Sequence, residues 1–139
     1  LLRRGLIKFV YFTVEGKELI KSFVSEGAQF GSLVSQLSDD GSTFSAVCIE
    51  ETHVIVIPYT VFESLVNQNP TAQIFALKFF QQLALKKEIR EYELLCLSAE
   101  VRYQKFLKKY PELVDRIAQQ DIARYLGITP IALSRIKNR

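Results

Sequence analysis

The stretch from Thr71 to about Leu97 constrains the fold most, because it contains neither glycine nor proline. Asn69-Pro70, immediately before it, is a typical helix start. We therefore predict one helix of roughly 27 residues, which spans ~40 Å at 1.5 Å per residue. A helix this long seldom packs only on its own domain, so a further packing partner is expected.

The C-terminal part of this helix carries an apolar seam with three- and four-residue spacing. Its members are Leu85, Ile89, Tyr92 and Cys96. A seam of this kind pairs with a second helix, although it also suits packing against a sheet. We favour a homodimer seam, which Lys78 and Gln82 weaken because they occupy the same spacing towards its start.

The first part of the chain has the composition of β-strands. Leu6 to Phe12 and Glu18 to Val24 flank a Gly-containing turn, which predicts a hairpin. The loop of residues 25–33 leads into a short helical turn. Two runs rich in β-branched residues, at 44–50 and 53–57, predict two more strands. We expect an antiparallel sheet or roll here.

Shorter helices are predicted on both sides of the long one. Tyr59 to Val66 has helical spacing, and Ser98 to Lys109 is amphipathic, with Ser98 as its N-cap. Tyr110-Pro111 is expected to end that helix and to start the next. Three basic residues lie close to one of its faces: Arg102, Lys105 and Lys109. They indicate either a solvated basic face or a contact with a nucleic-acid backbone.

The last nineteen residues, 121–139, have the pattern of a helix-turn-helix. Gly127 can adopt the left-handed backbone that ends a helix, and Thr129-Pro130 can cap and start the next one. Ala123 is small where the second helix must approach the first. Apolar residues occupy the inward positions: Ile122, Leu126, Ile128, Leu133 and Ile136. Because these requirements are met together, we favour a DNA-reading motif over a purely structural helical hairpin.

The outward side of this motif carries the candidate DNA contacts. They are Gln120, Thr129, Ile131, Ser134, Arg135, Lys137, Asn138 and Arg139. Arg135 is the best candidate for reading a base, because a guanidinium can donate to guanine O6 and N7 together. Gln120 and Thr129 lie at the N-terminal ends of the two helices and are expected to hold phosphates. Ile131 can offer only apolar contact, for example with a thymine methyl group.

Charge divides the chain into two unlike halves. Residues 1–69 contain five Lys and Arg against eight Asp and Glu, a net charge of −3, whereas residues 70–139 contain thirteen against seven, a net charge of +6. A basic half beside an acidic half indicates that only the C-terminal half meets a polyanion.

Several other functions are excluded by composition. Two cysteines, Cys48 and Cys96, are too few and too far apart for a zinc site or an iron-sulfur cluster, and we expect both to be buried thiols. His53, the only histidine, is expected to be a surface or core residue. No catalytic set is evident, so we expect no enzyme, no cofactor and no metal. No apolar run is long enough to span a membrane, which makes the cytoplasm the default location.

Five segments together resemble the catabolite activator and fumarate-nitrate regulator (Crp-Fnr) superfamily of bacterial transcription factors. They read "GLIKFVYFTVEGKEL", "EGAQFGSL", "FSAVCIEETHVIVIPYTVFESL", "LSAEVRYQKFLKKYPEL" and "DIARYLGITPIALSRI". The last two are especially similar to the branch common in the Bacteroidetes.

The resemblance implies an α+β fold with three parts. Residues 1–69 would form a jelly-roll-like, cyclic-nucleotide-binding-like β-roll, residues 70–97 a long dimerisation helix, and residues 98–139 a winged-helix type helix-turn-helix. The first strands of the roll and the wing have no counterpart, so we expect the chain as given to be incomplete. A homodimer on a palindromic double-stranded DNA site is implied, with RNA polymerase and an unknown small-molecule effector as further partners.

The effector position departs from the pattern of family members that bind cyclic AMP. Those members have Gly-Glu-Leu in the phosphate-binding loop and Arg-Ser before the next strand. The corresponding residues here are Gly31, Ser32, Leu33, Phe44 and Ser45. Both charged partners of the nucleotide are replaced, so we predict no cyclic AMP binding of the usual kind. Two interpretations of the loop stay open, another ligand or a scaffold. The alternative to a DNA-binding regulator is a ligand-binding or interaction module whose helix-turn-helix contacts protein.

Overall fold

A computed structural model describes residues 1–38 and 40–138. The strands are β1 (Leu2–Arg4), β2 (Ile7–Phe12), β3 (Glu18–Val24), β4 (Ser45–Cys48) and β5 (His53–Val54). The helices are α1 (Leu33–Leu37), α2 (Tyr59–Gln68), α3 (Pro70–Cys96), α4 (Ala99–Lys109), α5 (Gln119–Leu126) and α6 (Pro130–Lys137). The predicted mixed fold, with antiparallel sheets and several helices, is confirmed.

The chain forms two compact units, and their division does not follow the order of the sequence. One unit combines residues 1–55 with residues 98–139, and the other contains residues 56–97. The strands and the C-terminal helices therefore share one unit. The three-part division at residues 69 and 97 stays a prediction.

Two small antiparallel sheets build the first unit. In one of them, β2 lies between β3 and β4, and in the other β1 pairs with β5. The predicted hairpin is present, with Ile7 opposite Val24 and Phe12 opposite Glu18. Gly16 in its turn has a φ of 78°, a left-handed value that glycine adopts without steric strain.

The core of this unit joins the sheet to the C-terminal helices. Leu6, Val10, Ile20 and Phe23 supply the strand side. The helical side consists of Tyr103, Phe106, Leu113, Ile117, Ile122, Ala123, Tyr125, Leu126 and Leu133. The rings of Phe23 and Tyr125 lie 5.5 Å apart, and those of Phe106 and Tyr125 lie 5.4 Å apart. One continuous hydrophobic core therefore fixes α5 against the sheet.

The second unit consists of α2 and α3 in contact with each other. The Asn69 side chain caps α3 by accepting hydrogen bonds from the N–H groups of Thr71 and Ala72, and Pro70 occupies its first turn. The predicted long helix is observed over 27 residues. Its uninterrupted length follows from the absence of helix-breaking residues.

The structure corrects three expectations. Residues 111–116 form successive turns in place of a helix starting at Tyr110-Pro111, because Leu113 and Ile117 turn into the core there. The two predicted strands at 44–50 and 53–57 are shorter, as β4 and β5. Cys48 and Cys96 are exposed in the single chain and not buried, since one lies on the outer strand β4 and the other at the end of α3.

Candidate nucleic-acid interface

The first helix of the predicted motif ends as its sequence requires. Gly127 follows α5 with a φ of 68° and a ψ of 31°, and its N–H donates to the carbonyls of Ala123 and Arg124. This is the left-handed helix end that glycine adopts without strain. Ile122, Ala123 and Leu126 have no exposed surface. The inward face of α5 is therefore the one that the sequence pattern indicated.

The second helix, α6, begins two residues later. The Thr129 hydroxyl accepts a hydrogen bond from the N–H of Ala132 at 3.2 Å, and Pro130 occupies the first helical position. Leu133 is 1% exposed, and Ile136 packs against the same core. These two side chains anchor α6 to α5, so the opposite face of α6 is free of the core.

The predicted DNA contacts lie on that opposite face and on the adjoining start of α5. Gln120, Thr129, Ile131, Ser134, Arg135, Lys137 and Asn138 are all exposed. Ile131 is 68% exposed. Arg139 lies outside the described residues. The motif thus presents one polar and basic surface with a single large apolar side chain.

A shallow hollow joins the two helices on this surface. It has a volume of about 230 Å³, and its lining includes Gln119, Pro130, Ser134 and Lys137. The Lys137 ammonium donates to the side-chain carbonyl of Gln119 at 3.0 Å across it. The N-cap residue of α5 is Ala118, which has no side chain able to accept from the first helical N–H groups. Such N–H groups and an ammonium together favour a nearby anion.

Arg102 supports the helix-turn-helix by binding the backbone at the end of α5, although the sequence places it on a basic face of α4. Its Nε and Nη2 both donate to the backbone carbonyl of Leu126, at 3.1 and 2.9 Å. Leu126 is the last residue of α5, so its carbonyl has no partner within the helix. The guanidinium supplies that partner. No sequence signal indicated this pairing, because the two residues lie on different helices 24 positions apart.

Two ion pairs attach α5 to the sheet. The Lys8 ammonium contacts both carboxylate oxygens of Asp121, at 3.0 and 2.9 Å, and Arg124 forms an ion pair with Glu18. The side chains of Lys8 and Asp121 are only 15% and 11% exposed. Asp121 also lies in the first turn of α5, where a negative charge is favourable. The strands therefore fix the position of the helix-turn-helix by charge as well as by packing.

Arg116 makes a third connection between the strands and the helices. Its Nη2 donates to Glu26 Oε1 at 3.0 Å, its Nε donates to Glu50 Oε2 at 3.3 Å, and Nη2 also pairs with Glu50 Oε1. Hydrogen bonding from Arg116 lowers the pKa of Glu26 to about 2, with a further contribution from the N–H of Gly5. The same contacts, led by that with Glu50, raise the pKa of Arg116. No local sequence pattern connects Arg116 with Glu26 or Glu50, which lie 90 and 66 positions away.

Aromatic rings lie beside the predicted effector position. The rings of Phe9 and Phe44 lie 4.8 Å apart, and those of Phe9 and Phe30 lie 5.2 Å apart. The Lys21 ammonium lies 4.6 Å from the centroid of the Phe44 ring. Phe44, one of the predicted effector residues, therefore packs against the sheet's apolar cluster.

The remaining predicted effector residues lie at the start of α1 and at the start of β4. Ser32 caps α1 by accepting from the N–H of Ser35, and Leu33 starts that helix. Gly31 precedes this cap, and Ser45 starts β4. No cluster of side chains that could hold a metal ion occurs among residues 1–38 and 40–138.

The predicted dimer seam lies on α3. Leu85, Ile89, Tyr92 and Cys96 are all exposed in the single chain, Tyr92 by 55%. Exposed apolar residues also include Leu77 and Leu95 on the same helix. The helix thus carries apolar surface that its own unit does not cover. Within the described part of the chain, no helix has both the length and the apolar character needed to cross a membrane.

A strand-rich first part, a long helix and a core-anchored helix-turn-helix define the fold of Crp/Fnr-type transcriptional regulators, and this chain has that fold. Among solved structures, FixK2 from Bradyrhizobium japonicum superimposes with a TM-score of 0.84 at 18% sequence identity, over 99% of this chain and 71% of FixK2. A Crp/Fnr-family protein from Eubacterium rectale gives 0.69 at 13% identity, over 99% of this chain and 66% of that protein.

A third structure has higher sequence identity and a lower structural similarity. It is a proposed cAMP-binding regulatory protein from Silicibacter pomeroyi DSS-3, with a TM-score of 0.62 at 26% identity, over 100% of this chain and 64% of its own length. No protein-family model matches the chain, and no curated protein sequence matches it either. The resemblance to the superfamily is confirmed at the level of the fold, whereas the closer similarity to a Bacteroidetes branch stays a prediction.

Proposed function

We propose that this chain is part of a sequence-specific, DNA-binding transcriptional regulator of the Crp/Fnr type that acts in the cytoplasm. The observation that carries the proposal is the geometry of α6. Its inner face is locked into the core by Leu133, while the N-terminal half of its outer face is open to solvent. This arrangement suits a recognition helix entering a DNA major groove.

Individual residues have distinct roles in this proposal. Arg135 reads a base edge, because its exposed guanidinium can donate twice to guanine. Gln120 and Thr129 contact phosphates at the N-terminal ends of α5 and α6, and Lys137 adds positive charge beside them. Ile131 provides apolar contact. Ser134 and Asn138 offer weaker hydrogen bonds to bases.

The active form is proposed to be a homodimer on a palindromic site. The apolar seam of α3 would pair with its copy, and the two recognition helices would enter successive major grooves about 34 Å apart. A signal that shifts the paired helices changes this separation and hence the affinity. RNA polymerase would be a further partner of the bound dimer.

The effector, where one acts, is proposed to be other than cyclic AMP. By the sequence resemblance, Phe44 replaces the phosphate-binding arginine, and an apolar ring that packs against Phe9 cannot form an ion pair with a cyclic phosphate. Calorimetric titration of the full-length protein with cyclic AMP and cyclic GMP tests this directly. We expect no binding at micromolar concentrations, and micromolar affinity for either nucleotide would contradict the proposal.

DNA binding is tested by its dependence on salt. A protein that contacts several phosphates loses duplex affinity steeply between about 50 and 200 mM salt, because it releases counterions on binding. A flat response would favour the alternative, in which the helix-turn-helix contacts another protein. Genomic selection of fragments bound by the full-length protein then gives the half-site and its spacing, which tests base reading and dimer geometry together.

A further inference from the structure

The Arg116 contacts link two strand loops to the segment that leads into the helix-turn-helix. Arg116 belongs to the turns of residues 111–116, directly before α5. Its two acidic partners come from different loops: Glu26 follows β3, and Glu50 follows β4. One guanidinium therefore joins the helix-turn-helix side to two strand loops at once.

On the helical side, Arg116 lies between two residues of the core. Leu113 and Ile117, on either side of it, are only 6% and 3% exposed. The N–H of Arg116 donates to the carbonyl of Leu113 at 3.0 Å, and the N–H of Asp121 donates to the carbonyl of Ala118 at 2.9 Å. The backbone at Arg116 is therefore held close to the start of α5.

On the strand side, Glu26 is part of a hydrogen-bonded loop. Glu26 Oε1 also accepts from the N–H of Gly5 at 2.9 Å, and the next residue, Gly27, donates to the carbonyl of Leu2 at 2.9 Å. The same loop continues to Phe30, whose ring packs on Phe9, and then to Gly31. The predicted effector position and the carboxylate that holds Arg116 therefore belong to the same loop.

The contact of Arg116 with its two acidic partners depends on the position of the guanidinium between their negative charges. Glu26 and Glu50 both contact Nη2 of Arg116, so their carboxylates face each other across one cation. Two carboxylates in this position repel each other unless the guanidinium lies between them. The guanidinium therefore keeps the two carboxylates together in addition to the backbone hydrogen bonds of their loops.

We propose that Arg116 couples the loop of residues 25–33 directly to the helix-turn-helix, within one compact unit and without passing through α3. A ligand or partner that displaces this loop would then reposition α5. An effect of this coupling on DNA affinity rests on the proposed DNA-binding function. The movement of α5 with the loop does not.

Hydrogen exchange of the full-length protein in the absence of DNA tests the coupling in both directions. For Arg116→Gln we expect amides of residues 25–33 to exchange about three to ten times faster. For Glu26→Gln we expect a similar acceleration in residues 111–126. Lys108→Gln is the matched control, because it removes one exposed positive charge from α4 and should leave both segments unchanged.

The coupling is overturned if each substitution changes exchange only within its own segment. If Arg116→Gln fails to fold, as judged by circular dichroism, Glu26→Gln and Glu50→Gln decide the matter, since each leaves the guanidinium with one carboxylate. Duplex binding by the unmodified protein is measured separately. If a substitution in one segment accelerates exchange in the other but the protein does not bind DNA, only the proposed function is refuted. If the protein binds DNA but exchange changes only within the substituted segment, only the coupling is refuted.

Discussion

The Lys8 ammonium lies 2.9 and 3.0 Å from the two carboxylate oxygens of Asp121, and so joins the middle strand of the sheet to the first helix of the helix-turn-helix. Both side chains are largely covered. Removing one charge of such a pair leaves the other without compensation in a poorly solvated place, whereas removing both does not.

We expect Asp121→Asn to lower the free energy of unfolding by about 2 kcal/mol, less than for a fully buried pair. The double variant Lys8→Met with Asp121→Leu should recover at least half of that loss, because no charge then remains unpaired. Chemical denaturation of the three proteins measures both effects. A loss below about 0.5 kcal/mol for Asp121→Asn would mean that the pair is already solvated.

The left-handed backbone at Gly127 makes a second prediction. Gly127→Ala places a Cβ at a φ of 68° and should destabilise the protein by about 1 to 2 kcal/mol. Gly41→Ala is the matched control, because its Cβ would meet no atom within 4 Å and its φ is not positive. That variant should stay within about 0.5 kcal/mol of the unmodified protein in the same denaturation experiment.

Arg102 should behave as a structural residue and not as a phosphate contact. Arg102→Gln removes two donors from the Leu126 carbonyl, so we expect a loss of about 1 to 2 kcal/mol in unfolding free energy. The slope of duplex affinity against salt should not change. A shallower slope, by about one unit, with unchanged stability would return Arg102 to the DNA backbone.

Arg135→Ala should separate base reading from backbone contact. We expect a loss of about 1 to 3 kcal/mol on the selected site and little change on random DNA. Lys137→Ala is the comparison, since a phosphate contact weakens binding to both duplexes alike. Equal losses for Arg135→Ala on the two duplexes would reassign Arg135 to the backbone.

The contact between Arg116 and Glu26 predicts a particular dependence on pH. The folded pKa of Glu26 is lowered from the ordinary 4.5 to about 2, so its stabilising contribution is complete above pH 4.5 and is lost as the pH falls through 2. The difference in stability between the unmodified protein and Glu26→Gln should therefore be constant from pH 7 to pH 5 and shrink below. A difference that shrinks already between pH 7 and pH 5 would contradict the lowered pKa.

The parts of the fold that depend on neighbouring residues were predictable from the sequence. Gly127, Thr129 and Pro130 determine the turn through their own backbone preferences and one capping bond, so three adjacent residues carry the information. Likewise α3 was predicted to within one residue at each end, because Asn69 caps it and nothing interrupts it.

The contacts between distant residues were not predictable. Lys8 and Asp121 lie 113 positions apart, and Glu26 and Arg116 lie 90 apart, with no local pattern that pairs them. Pro111 suits a helix start, yet residues 111–116 form turns. The path of this segment depends on where Leu113 and Ile117 fit into the core, and that cannot be read from a single sequence.

The division of the chain has a consequence for the order of folding. The strand face formed by residues before position 56 is covered by helices that follow position 97, so the strands are synthesised well before the helices that cover them. Contacts of such large sequence separation slow folding. Leu6, Val10, Ile20 and Phe23 lack these helical partners on the ribosome until α5 has emerged, and exposed apolar surface of this kind favours aggregation of the nascent chain.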